Sequence, residues 1–472
     1  MSMVVQHNMQ AANANRMLGV TTSAQSKSTE KLSSGYKINR AADDAAGLTI
    51  SEKMRKQIRG LDKASSNAQD GVSSVQTAEG ALTEVHSMLQ RMNELAVQAS
   101  NGTNSKDTDR KAIQDEIDQL NTEIDRVAET TKFNEIYLLK GDDGEKTINL
   151  NAHDAGLKGT LVDNGSGKAT FTMKELSVGD SVSIGGKNYT IGSTAADAQK
   201  IVTGQEKAGG KVTVNGVEYT YNDTDKKWKD AAGADVQIGT GAAAGKIVIG
   251  DGDKVSDGTT TLTAMTDKKD ATGAAAADGV DDNDNSVISA EKAYSLAKDE
   301  LVAANHIGDT ENTAAVAQDT TNKNVFTITT GSAKVANTLS FSLHVGADAD
   351  MTNKITVDID TMNSANLGIK GLNVTDKNGT AATYAIDAIS DAISKVSSQR
   401  SALGAVQNRL EHTIDNLDNI SENTSSAESR IRDTDMAKEM VNYSKNNILA
   451  QAGQSMLAQA NQSNQGVLSL LQ

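Results

Sequence analysis

The sequence predicts a mainly α-helical protein with a β-rich insertion. Apolar residues recur every seven positions near both ends of the chain, alternation replaces this repeat in the middle, and the 472 residues include no proline to interrupt a helix. We therefore expect a long coiled-coil-like helical rod built from both chain termini. A variable middle region of β-hairpins and a few helices is looped out from this rod.

These changes of pattern divide the chain into three parts. We predict terminal helices at residues 1–43 and 432–472, and a helical rod domain with a small β element at residues 44–176 and 351–431. A variable, surface-exposed, β-rich region is predicted at residues 177–350.

The terminal segments are polar and rich in Ala, Asn, Gln and Ser, with few large apolar residues. A helix of this kind does not offset its own ordering entropy, so we expect it to stay disordered until a partner covers its apolar side. Gly35 reads as the residue just past a helix end, and Asp43 and Asp44 as caps of the next helix. The apolar residues expected to serve assembly are Val5, Met9, Leu18, Leu32, Val441, Ile448, Leu449, Met456, Val467, Leu468, Leu470 and Leu471.

The clearest heptad repeat runs from Leu61 to Ala99. A helix of this span is roughly 55–60 Å long at ~1.5 Å per residue, so another long element must lie beside it. Two interleaved series, offset by three residues, form its apolar seam: Leu61, Ala68, Val75, Leu82, Leu89 and Ala96, and Ala64, Gly71, Ala78, Val85, Met92 and Ala99.

The partner of this helix is predicted near the other end of the chain, where a second repeat steps by sevens. A third, shorter helix carries apolar residues at alternating steps of four and three after the turn at residues 100–108. The two stripes are Ile389, Val396, Leu403, Leu410, Leu417, Thr424 and Ile431, and Ile113, Ile117, Leu120, Ile124 and Val127.

The middle of the chain is dominated by Gly, Thr, Asp and Ala. Residues 182–191 and 212–221 each read as a β-hairpin around a Gly-Gly or Asn-Gly turn, and the two align thirty residues apart with a short helix between them. Trp228 follows on a third strand and is expected in the core of this module. Residues 267–285 read as an acidic linker and residues 289–305 as a helix.

Composition excludes several classes of function. The formal net charge is −16 with no long basic stripe, so nucleic-acid binding is not expected, and the absence of cysteine removes disulfides and thiolate chemistry. Residues 1–7 do not have the pattern of a secretory signal. The sequence contains no run of eighteen apolar residues, so no membrane-spanning helix is predicted. These rules alone predict a cytosolic protein.

No catalytic or metal-binding constellation stands out, so we expect neither an enzyme nor a cofactor. The sequence has no zinc-protease motif, nucleophile elbow or phosphate loop, and the acidic run at residues 281–285 lacks the spacing of a calcium loop. The histidines are scattered with no i,i+4 pair: His7, His86, His153, His306, His344 and His412.

Several motifs in a fixed order resemble bacterial flagellins, over about residues 3–140 and from about residue 355 to the end. They are KLSSGYKINRAADDAAG at 31–47, GALTEV at 80–85, LQRMNELAVQ at 89–98, LGAVQNRL at 403–410, AESRI at 427–431 and QANQSNQGVLSLL at 459–471.

The resemblance implies a structural subunit of the bacterial flagellar filament that assembles into a helical homopolymer and serves swimming motility. In this family the terminal helices line the inner tube and are disordered in the monomer. Family members leave the cell unprocessed through the flagellar type III export channel, so the resemblance replaces a cytosolic location with a secreted, extracellular one. It also implies a flagellar export chaperone that binds the helices after Arg432, and contacts with filament cap and hook-junction proteins.

Flagellins also carry a patch recognised by an animal Toll-like receptor, and the resemblance places this host partner on two neighbouring helices. A solvated helix face is the alternative explanation for these residues. Asn93 and Leu120 stand where some members have basic residues, which bears on the strength of receptor signalling. Gln472 replaces a terminal Arg found in some members, which puts recognition by cytosolic sensors in doubt. The receptor-binding residues implied are Gln90, Arg91, Leu95, Gln98, Ile113, Gln114 and Glu116.

Other functions stay open at this point. A hook-filament junction protein shares the terminal helices and the export route but does not elongate. A filament subunit that displays an additional binding domain, or an enzyme, needs a site in the middle region that the sequence does not reveal. A cytosolic coiled-coil adaptor explains the heptads but not the motifs at both ends.

Overall fold

A computed structural model describes residues 8–239, 246–269, 277–376 and 378–469. The described residues form long helices near both chain ends and a β-rich region between them, which confirms the predicted fold class. The helices are α1 (Met9–Ser34), α2 (Ala45–Ser100), α3 (Lys111–Thr130), α4 (Ala195–Gly204), α5 (Ala290–Asn305), α6 (Ser364–Leu367), α7 (Thr380–Arg432) and α8 (Met436–Ser469).

The strands lie almost entirely between α3 and α7. They are β1 (Lys132–Phe133), β2 (Ile136–Tyr137), β3 (Asp142–Asn149), β4 (Gly159–Gly165), β5 (Lys168–Met173), β6 (Ser181–Ile184), β7 (Lys187–Ile191), β8 (Lys211–Val214), β9 (Val217–Asn222), β10 (Lys227–Lys229), β11 (Asp235–Gly239), β12 (Lys246–Val248), β13 (Lys254–Ser256), β14 (Thr261–Thr263), β15 (Val287–Ile288), β16 (Ala315–Gln318), β17 (Val325–Thr329), β18 (Ser332–Asn337), β19 (Leu339–His344) and β20 (Lys354–Ile359).

These strands form several small sheets and one larger one. The largest has the order β12-β11-β10-β9-β8-β13-β14, and two others have the orders β16-β17-β5-β4 and β15-β7-β6. The pairs β1-β2, β3-β18 and β19-β20 stand apart. The pairings of β11 with β12 and of β7 with β15 are parallel.

The described residues divide into two compact units. The first comprises residues 8–75, 341–357 and 404–469, and the second comprises most of residues 76–340 together with 358–376 and 378–403. α2 and α7 each contribute one part to each unit.

In the first unit the seams of α2 and α7 form the core. Leu61 and Ala64 pack with Leu417, and Ala68 packs with Leu410. A Cβ atom added at Gly71 would meet Leu343 Cδ1 at 2.2 Å, so a larger residue at this seam position would require the Leu343 side chain to move. All twelve predicted seam positions of α2 are buried, as the heptad spacing requires.

Both helix ends predicted near residue 40 are present. α1 ends at Gly35, which has a φ of 77° and donates its N–H to Lys31 O at 2.9 Å. Asp44 precedes α2, and its Oδ1 accepts the Gly47 N–H at 2.9 Å. Asp43 instead accepts the N–H groups of Asn39 and Arg40, so it fixes the connection before the helix.

The second unit contains the β-rich region, where both predicted hairpins form. Their turns are Gly185-Gly186 and Asn215-Gly216, with positive φ at both residues of each. Val182 pairs with Tyr189 and Val212 with Tyr219, so the two hairpins share one register although they belong to different sheets. Trp228 lies on β10, 3% exposed, with its ring 5.2 Å from that of Tyr221.

The predicted acidic linker is folded back on the chain where the structure describes it. Asp281 Oδ2 accepts the Thr266 N–H at 3.0 Å, and Asp282 Oδ2 accepts the Lys268 N–H at 2.9 Å. Val280 also forms an antiparallel bridge with Ile288. The carboxylates of this segment, which was predicted to be an acidic linker, therefore accept hydrogen bonds from backbone N–H groups.

The segment that contains α4 and the strands β8 to β14 is connected to the rest of the second unit at two adjacent points. Ser193 and Ala264 form a parallel bridge, and the Met265 N–H donates to Ser193 O at 2.8 Å. The larger sheet and α4 lie between these two points in sequence and share a hydrophobic core of their own.

Candidate functional site

The pair of helices α1 and α8 is the first candidate site, because it forms almost no core of its own. The two helices lie against each other, and Asn8 Nδ2 donates to Ala460 O at 3.1 Å. Among the described side chains, Ser28 is the only buried residue of α1 and Ala450 the only one of α8. Packing within the pair therefore buries little apolar surface.

The large apolar residues of these helices face outward instead. Met9, Val441 and Ile448 are 68%, 68% and 66% exposed. Leu449 and Met456 are also exposed, while Leu18 and Leu32 are half-buried. Val5, Leu470 and Leu471 lie outside the described residues, and the side chains of Val467 and Leu468 are not described. Four further exposed apolar residues of these helices are not among the predicted assembly residues: Met17, Val20, Met436 and Met440.

This exposed surface carries few charges. Lys445 is the last charged residue of α8, and residues 446–469 contain none. A groove of about 670 Å³ runs beside the helix pair, lined by residues of both helices including Met17, Leu18 and Met456. A partner can cover such a surface without removing a charged group from water, which carries a high free-energy cost.

A compact cluster joins the helix pair to the rest of the first unit. Tyr36 and Asp433 form an antiparallel bridge, and the Lys37 N–H donates to Arg432 O at 2.7 Å. The Arg432 guanidinium lies 4.8 Å from the centre of the Tyr36 ring and donates to Glu52 at 2.8 Å. The segment between α1 and α2 is thus bound to the segment between α7 and α8 through this cluster.

The second candidate site is the predicted receptor patch in the second unit. Gln90, Arg91, Gln98 and Glu116 are exposed on α2 and α3. Arg91 Nε donates to Glu116 Oε1 at 2.9 Å and Nη1 donates to Glu94 at 3.2 Å. The hydrogen bond to Glu116 is the main reason that the pKa of Arg91 is raised above its ordinary value.

The remaining residues of the patch lie beneath this surface. Leu95 and Ile113 are 2% and 6% exposed, so they support the patch from below. Gln114 is half-buried, and its side chain donates to Leu372 O and accepts the Val374 N–H, both at 2.8 Å. Gln114 therefore fixes the segment before α7 against α3.

Histidine and carboxylate side chains are the remaining candidates for a chemical site among the described residues. Two of the histidines lie beside a carboxylate, His153 with its Nε2 4.0 Å from Asp391 and His306 with its Nδ1 3.2 Å from Asp309. No group of three His, Cys, Asp or Glu residues that could hold a metal occurs in the described ranges. No helix in the described part of the chain has the length and hydropathy required to cross a bilayer.

Comparison with known proteins identifies the family. Residues 5–143 match the family described as bacterial flagellin N-terminal helical region, and residues 386–471 match the bacterial flagellin C-terminal helical region. A flagellin of Clostridium tyrobutyricum is 38% identical over 468 residues, which cover 98% of this chain and 100% of that protein. The chain belongs to the bacterial flagellin family.

Other flagellins align over the whole length as well. Flagellin C of Vibrio cholerae is 36% identical over 471 residues, covering 100% of both chains. A solved FliC structure from Burkholderia pseudomallei aligns at 19% identity over 72% of this chain and 99% of that chain, with a TM-score of 0.27. This flagellin is thus a structural subunit of the bacterial flagellar filament.

Proposed function

We propose that this flagellin polymerises by covering the exposed apolar residues of α1 and α8 with the same helices of neighbouring subunits. The observation that supports this most directly is the outward-facing set of Met9, Val441, Ile448 and Met456, on helices with very few charges. In this proposal residues 1–43 and 432–472 are disordered in the monomer and gain their helices on assembly. The filament then serves swimming motility.

The same surface supports the proposal of an export chaperone. Met440, Val441, Ile448 and Leu449 line a groove on one side of α8 that a chaperone would cover before assembly. The protein is then exported unprocessed and becomes part of an extracellular filament, in contact with cap and hook-junction proteins at its ends. We propose no enzymatic activity, because the relatives named above are structural proteins.

Seeded polymerisation tests the proposal. The full chain and a variant lacking residues 1–34 and 433–472 are mixed with sheared filament seeds and examined by electron microscopy and sedimentation. We expect long filaments from the full chain alone, because the truncated variant lacks both exposed helices. Circular dichroism of the full chain should show a gain in helix on polymerisation, whereas a full chain that stays monomeric would favour a junction protein.

A second proposal is that the exposed part of the receptor patch makes this flagellin a ligand of an animal Toll-like receptor. The supporting observation is the cluster of Arg91, Glu94 and Glu116, in which the guanidinium is held in one orientation by two carboxylates. A fixed cation beside exposed Gln90 and Gln98 offers directional donors and acceptors to a protein surface.

Substitution of Arg91 tests this second proposal. Arg91→Ala should reduce signalling by receptor-bearing reporter cells by about tenfold, which corresponds to a loss of about 1.4 kcal/mol, because Arg is enriched among the few residues that dominate the binding energy of an interface. Arg126→Ala removes another exposed Arg, paired with Glu123 on α3, and serves as the control. Signalling by Arg91→Ala at the level of the unchanged protein would overturn the proposal.

A further inference from the structure

A row of cations lies on the exposed face of α2 in the first unit. Lys56, Arg59 and Lys63 follow one another at steps of three and four residues, so they share one face of the helix over about 10 Å. None of the three has a carboxylate within ion-pair distance among the described residues. The nearby carboxylate of Glu52 instead accepts a hydrogen bond from Arg432 at 2.8 Å.

A row of carboxylates with the same spacing lies on α7 in the same unit. Asp415, Asp418 and Glu422 repeat the steps of three and four residues, and Glu411 extends the row by one turn. All four are exposed. Asp418 accepts a hydrogen bond from Ser65 Oγ at 3.0 Å and Glu411 one from Gln407 at 2.9 Å, but no described cation pairs with any of them.

We propose that the cationic row of one subunit binds the acidic row of a second copy of this chain. The inference rests on the proposed polymerisation and names two of the surfaces that meet in it. The cationic row and the last three carboxylates of the acidic row have the same spacing and opposite charge, so Lys56, Arg59 and Lys63 can each meet a carboxylate in a single register.

A second copy is the partner that the charges favour. The chain carries a net charge of −16, so copies of it repel one another unless opposite charges meet at defined places. The two rows are different patches on one molecule, and a contact between different patches leaves a free patch at each end. Repetition of such a contact builds an open helical polymer when the rotation between copies does not close a ring.

Charge reversal tests the pairing. The first variant combines Lys56→Glu, Arg59→Glu and Lys63→Glu, and the second combines Glu411→Lys, Asp415→Lys and Glu422→Lys. Asp418 is kept because it bonds to Ser65. The third variant carries all six changes. The control combines Lys158→Glu, Lys187→Glu and Lys207→Glu, which lower the net charge as much as the first variant does, on exposed side chains of the second unit.

The critical concentration for seeded polymerisation is measured by sedimentation in polyethylene glycol at low ionic strength, where charge pairs are least screened. Each single-row variant should raise this concentration about tenfold or more, because like charges would then face each other. The combined variant, in which only the retained Asp418 still faces a like charge, should polymerise at a clearly lower concentration than either single-row variant. Circular dichroism of the monomers checks that each variant is folded.

The outcomes separate this inference from the proposed function. Polymerisation of the single-row variants like the unchanged protein, or a combined variant no better than either row alone, would overturn the pairing and leave the filament proposal standing. An equal loss in the control variant would also overturn it, since net charge alone would explain the effect. A wild-type chain that does not polymerise would overturn the filament proposal itself.

Discussion

Arg110 is the largest side chain that is fully buried among the described residues, at 1% exposure. Its Nε donates to Ala99 O at 2.8 Å, and its Nη atoms donate to Asn101 O at 3.1 Å and Asp376 O at 3.0 Å. One guanidinium therefore satisfies carbonyl groups at the end of α2 and in the segment that leads to α7. A lone Arg in a polar turn gives no signal of this role in the sequence.

Substitution of Arg110 should destabilise the second unit. Arg110→Ala leaves three carbonyl groups without a charged donor, so we expect the free energy of unfolding in urea to fall by about 3 kcal/mol. Arg126→Ala, which removes an exposed ion pair with Glu123, should change the same quantity by less than about 0.5 kcal/mol. Equal unfolding curves for the two variants would contradict a structural role for Arg110.

Secondary structure elements divide sharply into those that the sequence predicted and those that it did not. The seam of α2, the ends of α1 and α2, the helix α5 and both repeated hairpins were predicted, because each depends on a local pattern of spacing or turn residues. The strands β11 to β14 are only three to five residues long and were not predicted. A strand of this length contains too few residues for an alternating pattern to be recognised.

Hairpin turns in the second unit depend on carboxylates that accept backbone N–H groups. Asp257, between β13 and β14, accepts from Thr259 and Thr260 at 2.9 and 2.6 Å, and Asp319, after β16, accepts from Thr321 and Asn322. The hydrogen bond from Thr260 is the main cause that lowers the pKa of Asp257 below its ordinary value. Because the pKa of Asp257 is lower in the folded protein than in the unfolded chain, its ionised carboxylate stabilises the turn at pH values above the ordinary pKa. This stabilisation is lost as the pH falls through the lowered pKa of the folded state.

Acid should therefore weaken the larger sheet through this turn. Trp228 is the only tryptophan and lies in the core of that sheet, so its fluorescence reports unfolding there. In urea titrations between pH 6 and pH 3 we expect Asp257→Asn to lose less stability than the unchanged protein, because the amide does not titrate. Asp223→Asn, at an exposed carboxylate without a described hydrogen bond, should follow the unchanged protein. Parallel losses in all three proteins would exclude this cause.

At the scale of the whole molecule, the sequence predicted which regions are helical and which are β-rich, but not how the strands join into sheets. Residues 182–191 and 212–221 look alike in sequence, yet the first hairpin pairs with β15 and the second with β10 and β13. The predicted assembly residues Met9, Val441 and Ile448 are exposed in the single chain, and their role in assembly stays a prediction. The receptor patch was predicted as one surface, but burial separates Leu95 and Ile113 from its exposed members.

The bridge between Ser193 and Ala264 has a consequence for how this protein can change. The segment of about seventy residues between Ser193 and Ala264 begins and ends at two hydrogen-bonded neighbours. Its two ends are therefore close together, and the rest of the second unit does not depend on the length of the segment. A different folded domain with closely spaced ends can occupy the same position, while the rest of the second unit keeps its backbone connections. Related proteins under selection for new surface properties can thus replace this segment without changes in the parts that polymerise.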